Sequence, residues 1–337
     1  MKRTPGRTKR RGQPKRVMPT ARDISVYKIL NRYRYLPTRF VWRLLPDGVR
    51  GLSYKRFQDR LTTLYHEGFL NRPARQWWAV NARYKDCIYE LDDGGRGVLR
   101  ECGVTPRRRG GGKNFSHQLL TNLVQSSMEL WCADNPALDY VTWDTILGYR
   151  TLPDETRRSS TPFKIPVVVD GGEGIVIPDG EPSGVWFTDQ SGTRVALCFL
   201  GCEADCGTET LEPLDRRQRQ SIAYKFRAYL DIAKRKTYRT HFGFPNMIVP
   251  FVTSSEQRKK NMMRVFERIT DGEGAPFIIF KTLPHLLSHE KTPEPADLLL
   301  TEPWARVGHP PFDVLSELRR MTRERAATTL PQKASVG

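Results

Sequence analysis

Glu203 and Asp205 stand two residues apart at the end of an apolar run, Val195-Ala196-Leu197-Cys198-Phe199-Leu200. Such a run reads as a buried strand, and on a strand this spacing aims both carboxylates at one face. Upstream, Ile175-Val176-Ile177-Pro178-Asp179 is a second short apolar strand with an acid at its tip. Downstream, Lys225 falls on a stretch of helical period. Two acid-tipped strands and a lysine are the ingredients of metal-dependent phosphodiester chemistry. The plainer reading is that these acids simply leave a sheet into solvent.

The elements that must position these groups belong to a basic chain of 337 residues with formal net charge +18. That imbalance points to a polyanionic partner, nucleic acid before an anionic membrane surface. The length suits two domains or one large one. No apolar run approaches the length of a membrane span, and no apolar segment follows the basic N-terminal residues as a secretory signal would require. Six cysteines lack paired CxxC spacing, so free thiols in a cytoplasmic setting are expected.

Residues 1–19 are rich in Lys and Arg, contain no acid and are broken by Pro and Gly. They read as a disordered basic arm that contacts phosphates. Residues 20–104 have the layout of a winged helix-turn-helix. A first helix is capped at Thr20 or Asp23, a short second one follows Pro37-Thr38, and a third, capped by Ser53, runs to about His66 with Phe57, Leu61 and Leu64 inward. A two-stranded wing is expected from Trp77-Trp78-Ala79-Val80 and Cys87–Leu91. Lys55, Arg56, Gln58 and Arg60 are the expected major-groove residues, and Arg72, Arg75 and Arg83 the wing contacts, on double-stranded DNA. Trp77-Trp78 could stack on bases, although one of the pair is expected in the wing core. A domain that binds protein with a solvated charged face is the competing reading. Residues 105–114, with Arg107, Arg108, Arg109 and three glycines, read as a flexible basic linker that also meets DNA.

Residues 115–285 read as an α/β domain with a mixed sheet. A helix begins near Ser116 and carries His117 and Glu129. Antiparallel strands follow, ending in the run Thr193–Asp205. Then come a helix over 216–236, a strand over 246–253, a helix over 256–269 and a strand over 277–280. Residues 154–160 read as a loop. Residues 286–337 read as an extended or disordered tail with one docking helix over 311–325. Cys198, Cys202 and Cys206 would share a strand face, but small buried thiols fit better than a metal cluster that lacks a fourth ligand.

The order Phe115-Ser116-His117-Gln118-Leu119, then Pro178-Asp179, then Glu203-Ala204-Asp205-Cys206-Gly207-Thr208-Glu209, then Lys225 with Tyr229 resembles the replication-relaxation family of plasmids, phages and integrative elements. The second half is similar to the PD-(D/E)XK nuclease superfamily. The resemblance covers roughly residues 20 to 270. It implies Asp179 and Glu203 as ligands of Mg²⁺ or Mn²⁺, with the Ala204 carbonyl as a third and Glu129 as a helix-borne acid. It also implies partner proteins in mobile-element replication or transfer. The family pattern places a lysine two residues after the acid. Here that place holds Asp205, and Lys225 on the following helix is the substitute. Two functions follow: a metal-dependent nuclease guided by a winged helix, or a catalytically silent fold that holds DNA. The oligomeric state is left open, a dimer included.

Overall fold

The computed structural model describes residues 10, 17–51, 53–74, 76, 86–107, 115–207, 209–212, 221–283 and 294–329. The expected arm except Arg10 and residues 17–19, the positions Arg75, Trp77, Trp78, Arg83, Arg108 and Arg109, and Thr208 lie outside the described residues. The chain divides into two compact units, Met1–Ser126 with His285–Pro295, and Ser127–Pro284 with Ala296–Gly337.

In the first unit, α1 (Ala21–Tyr33) starts at a capping box: the Asp23 amide donates to the Thr20 hydroxyl, and the Asp23 carboxylate accepts from the Thr20 amide at 2.7 Å. There follow β1 (Tyr35–Pro37), α2 (Thr38–Leu44), α3 (Asp47–Arg50), α4 (Tyr54–His66), β2 (Leu70–Asn71), β3 (Ile88–Leu91), α5 (Asp93–Glu101) and α6 (Phe115–Ala133). Ser53 caps α4 as its sequence predicts. Strand β3 lies between β1 and β2, antiparallel to both. Tyr27, Leu30, Leu36, Phe40, Phe57, Leu61, Leu64 and Leu70 fill the core. Helix α5 was not expected, since three of its nine residues are glycine. Two of those glycines have a packing reason. A Cβ on Gly94 would lie 2.8 Å from the Gly68 carbonyl oxygen, and one on Gly95 2.5 Å from that of Phe69. Residues 115–126 of α6 belong to this first unit, so the second does not begin at residue 115.

The second unit is mixed α/β with several small sheets. It runs β4 (Leu138–Val141), α7 (Trp143–Ile146), α8 (Asp154–Arg158), β5 (Ile165–Val169), β6 (Gly172–Val176), β7 (Ser183–Thr188), β8 (Arg194–Phe199), β9 (Glu203–Asp205), α9 (Ile222–Arg235), α10 (Thr237–Phe242), β10 (Val249–Thr253), α11 (Glu256–Ile269), β11 (Ile278–Thr282), α12 (Leu298–Thr301) and α13 (Val314–Thr329). Strands β4, β7 and β8 form one antiparallel sheet and β5–β6 a hairpin. Strands β9, β10 and β11 are parallel, with Glu203 opposite Phe251 and Asp205 opposite Thr253. A parallel bridge from Phe199 to Ile248 ties the end of β8 to the approach of β10. Helices α9 and α11 pack on each other. Phe226 sits at the centre of their core, with ring centroids 4.8 Å from both Phe251 and Phe266 and 5.9 Å from Phe280.

Four expectations change here. The run 193–205 is not one strand: β8 ends at Phe199, and Leu200-Gly201-Cys202 intervene before β9. The hairpin strand β6 ends at Val176, so Asp179 stands on a loop rather than at a strand tip. Residues 154–158 form a short helix, with acids in its first turn and arginines in its last. The stretch after 294 is not an extended tail. Trp304 is fully buried, pairs with Phe312 through a two-way backbone bridge, and lies under Lys281, whose Nζ donates to the Leu298 and Glu302 carbonyls at 2.5 and 2.6 Å. Helix α13 packs on β8. Among the described residues no helix is long and apolar enough to cross a membrane.

Candidate functional site

Glu203 enters the site from β9, an edge strand whose three residues are all buried. Asp179 reaches it from the loop after β6. That loop is held by the Gly180 amide donating to the Cys202 carbonyl at 2.9 Å and by the Ala204 amide donating to Asp179 Oδ2 at 3.1 Å. Lys225 comes from the first turn of α9, which starts at Ser221, whose hydroxyl accepts from the Tyr224 amide. Its ammonium nitrogen lies 2.7 Å from Glu203 Oε2, 3.1 Å from Asp179 Oδ2 and 3.1 Å from Glu209 Oε1. The two acids and the lysine singled out in the sequence therefore meet around one nitrogen. Glu209 joins them as a third carboxylate. One turn along α9, the buried Tyr229 donates its hydroxyl to Glu203 Oε1 in a short hydrogen bond.

The charges are unbalanced. Three carboxylates face one ammonium, and Glu203 is 2% exposed. Burial, then the neighbouring Asp179 charge, push the Glu203 carboxyl up to about 7, against the opposing pull of Lys225. Burial would lower the Lys225 pKa, but Glu203, Asp179 and Glu209 together raise it above the ordinary lysine value. Lys225 is thus a permanent cation and not a proton acceptor at neutral pH. Burial, with the Glu203 charge, holds the Tyr229 hydroxyl well above its usual value, so it stays a donor. Glu203 Oε2 is sealed from solvent against the Lys225 ammonium. Three carboxylates gathered on one ammonium offer hard oxygen donors of the kind that Mg²⁺ or Mn²⁺ takes. Asp179 and Glu209 belong to a cluster whose donor atoms lie within 4.8 Å of one another, close enough to share an ion, and Glu203 is not part of it.

Asp205 does not join the cluster. It is 2% exposed and paired with Arg258 of α11, whose Nε and Nη2 donate to its two oxygens at 2.7 and 3.2 Å. Its carboxylate is committed to that partner, a side chain fifty-three positions away in sequence, and not to Lys225. Glu129 is half-buried on α6, where its charge acts on Cys132 and Tyr140. With the strand broken, Cys198, Cys202 and Cys206 share no continuous face. Burial raises all three thiols, Cys198 and Cys206 to about 12, so they are inert packing groups.

In the first unit, Lys55 and Arg56 are exposed on α4, with Lys55 2.9 Å from Asp59 one turn on, and Gln58 is half-buried. Arg60 is committed inward. Its Nε and Nη2 grip the buried Asp23 at 3.1 and 2.5 Å, and Nη2 also reaches the Met18 carbonyl. Arg72 is likewise internal. It is 8% exposed, lies between the rings of Tyr65 and Tyr89, and donates to the Tyr89 hydroxyl at 2.7 Å and the Thr62 hydroxyl at 2.9 Å. Arg107 donates to the Arg32 carbonyl. Arg60 and Arg72 are therefore framework residues rather than groove and wing contacts. Truncating Arg72 to alanine is expected to lower stability by about 2–4 kcal/mol, since a cation sandwiched by two rings and two hydroxyl bonds are lost together. Truncating Lys55 or Arg56 should leave stability within about 0.5 kcal/mol. Urea denaturation of the three variants separates the two classes.

The residues that sequence reasoning assigned no role are Glu209 and Tyr229, both within the quoted pattern, and Arg258, for which no local signal exists. Comparison of the chain with family models, curated proteins and solved structures returns no match.

Proposed function

We propose that this chain is a DNA-binding protein whose second unit is a PD-(D/E)XK-like nuclease domain and whose first unit is a winged helix, serving replication or transfer of a mobile element. The observation that carries the reading is the meeting of Asp179, Glu203 and Lys225, from a loop, a strand and a helix, around one nitrogen. Structural ion pairs rarely gather three acids, one of them fully buried, on one lysine, whereas a phosphodiester-cleaving site needs carboxylates for a cation and a separate positive charge.

In this reading Asp179 and Glu203 would hold Mg²⁺ or Mn²⁺, and the ion would supply polarisation of the phosphate and an activated water. Tyr229 fixes the Glu203 carboxylate in one rotamer. Lys225, held in its charged form by the surrounding acids, would face the scissile phosphate and stabilise the extra negative charge of the five-coordinate phosphorus as the water oxygen bonds and the leaving oxygen departs. The exposed Lys55 and Arg56 of α4, with Gln58, bring duplex to the protein by neutralising phosphates and reading the groove.

A second reading, a silent fold that holds DNA, is favoured by one feature. Lys225 lies where a cation bridging the acids would sit, and the usual lysine place belongs to Asp205, bound to Arg258. Supercoiled plasmid incubated with Mg²⁺ or Mn²⁺ decides between them. Nicking by the wild type that is lost in both Asp179→Ala and Glu203→Ala supports the enzyme. Intact plasmid in every metal, with salt-sensitive binding retained, leaves the holding role. Within either reading, Lys55→Ala and Arg56→Ala should each reduce the salt dependence of binding by about one unit of log–log slope.

A further inference from the structure

Around the cluster, one arginine does two tasks that no single hydrogen bond reveals. Arg258 stands in the first turn of α11, which begins at Ser255, whose hydroxyl accepts from the Arg258 amide. Its guanidinium fork grips both oxygens of Asp205. The same Nη2 also makes a short hydrogen bond to the backbone carbonyl of Glu209. Asp205 in turn accepts from the Gly207 amide at 3.1 Å. Asp205 and the Glu209 carbonyl are thereby tied to a single planar group. Gly207, at φ 79°, supplies the left-handed step that lets the chain fold back over Asp205. The residue delivered by that turn is Glu209, whose carboxylate lies 3.1 Å from Lys225 Nζ.

We propose that Arg258 is a positioning residue for the Asp179–Glu203–Lys225 site, an inference that rests on the nuclease-like reading. It withdraws Asp205 from the cluster by neutralising it, and it anchors the Glu209 carbonyl so that the Glu209 side chain becomes the third carboxylate on Lys225. A lysine at 258 could not replace it. A point-like ammonium cannot hold two carboxylate oxygens in a bidentate grip and a carbonyl together. Asp205 acts on the site through Arg258 and the turn, not by touching metal or substrate.

The arrangement is tested through the nucleophilicity of Lys225, whatever the chain does to DNA. The full chain is labelled with trace acetic anhydride and the modified lysines are quantified by peptide mapping. Exposed Lys234 serves as the reference and buried Lys281 as the control for folding. Wild-type Lys225 should react slowly. Glu209→Gln should raise its reactivity several-fold. Arg258→Ala should raise it by the same factor, and the double variant should add nothing further. Millimolar guanidinium ion should restore slow reaction in Arg258→Ala but not in Glu209→Gln, a rescue that a general loss of packing would not show. If Arg258→Ala exposes Lys281 and so has unfolded, Arg258→Lys takes its place, with loss of Lys225 protection expected and Lys281 still protected. Lys225 reacting as in the wild type in a folded Arg258 variant, or additive effects in the double, would overturn the proposal. Plasmid left intact by the wild type in Mg²⁺ and Mn²⁺ would remove the nuclease reading alone, and the labelling pattern would still decide whether Arg258 holds Glu209.

Discussion

Glu203→Gln is expected to stabilise the full chain at pH 8 while ending any metal-dependent cleavage. The carboxyl of Glu203 is held at about 7 in the folded protein against an ordinary 4.5, by burial and the Asp179 charge. Between 4.5 and 7 the folded state binds a proton that the unfolded state has released. Stability therefore falls as pH rises through that window, and the full penalty applies above about 7. Lys225 stays protonated in both states across the same range, so its raised pKa adds a constant there and no slope. At 1.36 kcal/mol per pKa unit the penalty is bounded near about 3 kcal/mol. The amide removes it, keeps the shape and an oxygen for Tyr229, and leaves Lys225 with Asp179 and Glu209. A gain of about 1–3 kcal/mol at pH 8 is expected, read as a higher melting temperature in the presence of EDTA. Wild type should lose stability from pH 5 to pH 7, and the variant should not. A flat wild-type profile, or a variant that melts lower at pH 8, contradicts the assignment. A buried carboxylate that costs stability is what a functional site predicts.

How much of this was legible follows the range of the interactions concerned. Capping at Thr20 and Ser53 and the inward stripe of α4 depend on neighbours three or four residues apart, and the sequence displays them. The order of a strand, α9, β10, α11 and β11 follows from apolar period. Lys225 was placed with Glu203 through the resemblance, as the substitute lysine on the following helix. The fate of Asp205 was not readable, because its partner lies fifty-three residues on, with only an arginine in a charged helix to mark it. Arg60 and Arg72 failed for a related reason. A guanidinium bound to a buried Asp23, or stacked between Tyr65 and Tyr89, looks in sequence like one meant for phosphate. The segment after 294 reads as tail because it is Pro-rich and polar. Trp304 and Phe312 are nonetheless buried, through one backbone bridge rather than a strand. The break in the run 193–205 did carry a signal, Gly201, since a glycine inside a strand pattern marks a bulge or a close approach.

Gly201→Ala should displace Asp179 without altering any group that does chemistry. Gly201 has φ 155°, and a Cβ there would lie 2.3 Å from Pro178 Cβ and 2.8 Å from the Gly180 carbonyl oxygen. Neither neighbour is a flexible side-chain end, so the 178–180 loop must move away from the β8–β9 junction. Two bonds hold that loop, Gly180 N–H to the Cys202 carbonyl at 2.9 Å and Ala204 N–H to Asp179 Oδ2 at 3.1 Å. Both depend on the approach that the methyl would block. Overpacking against backbone together with an unfavourable φ predicts a loss of about 2–4 kcal/mol. An Asp179 carboxylate shifted by about 1 Å would lower cleavage on the order of a hundredfold. Gly172→Ala is the matched control. Its φ is ordinary, and its nearest neighbour beyond the adjoining residues, the Val169 carbonyl oxygen, would be 3.6 Å from the new methyl, so an effect within about 0.5 kcal/mol is expected. Urea denaturation followed by tryptophan fluorescence compares the two. Equal midpoints would mean that the Pro178–Gly180 loop does not rest on Gly201. A large loss at 201 alone would show that Asp179 is held beside Lys225 by the smallest side chain in the neighbourhood.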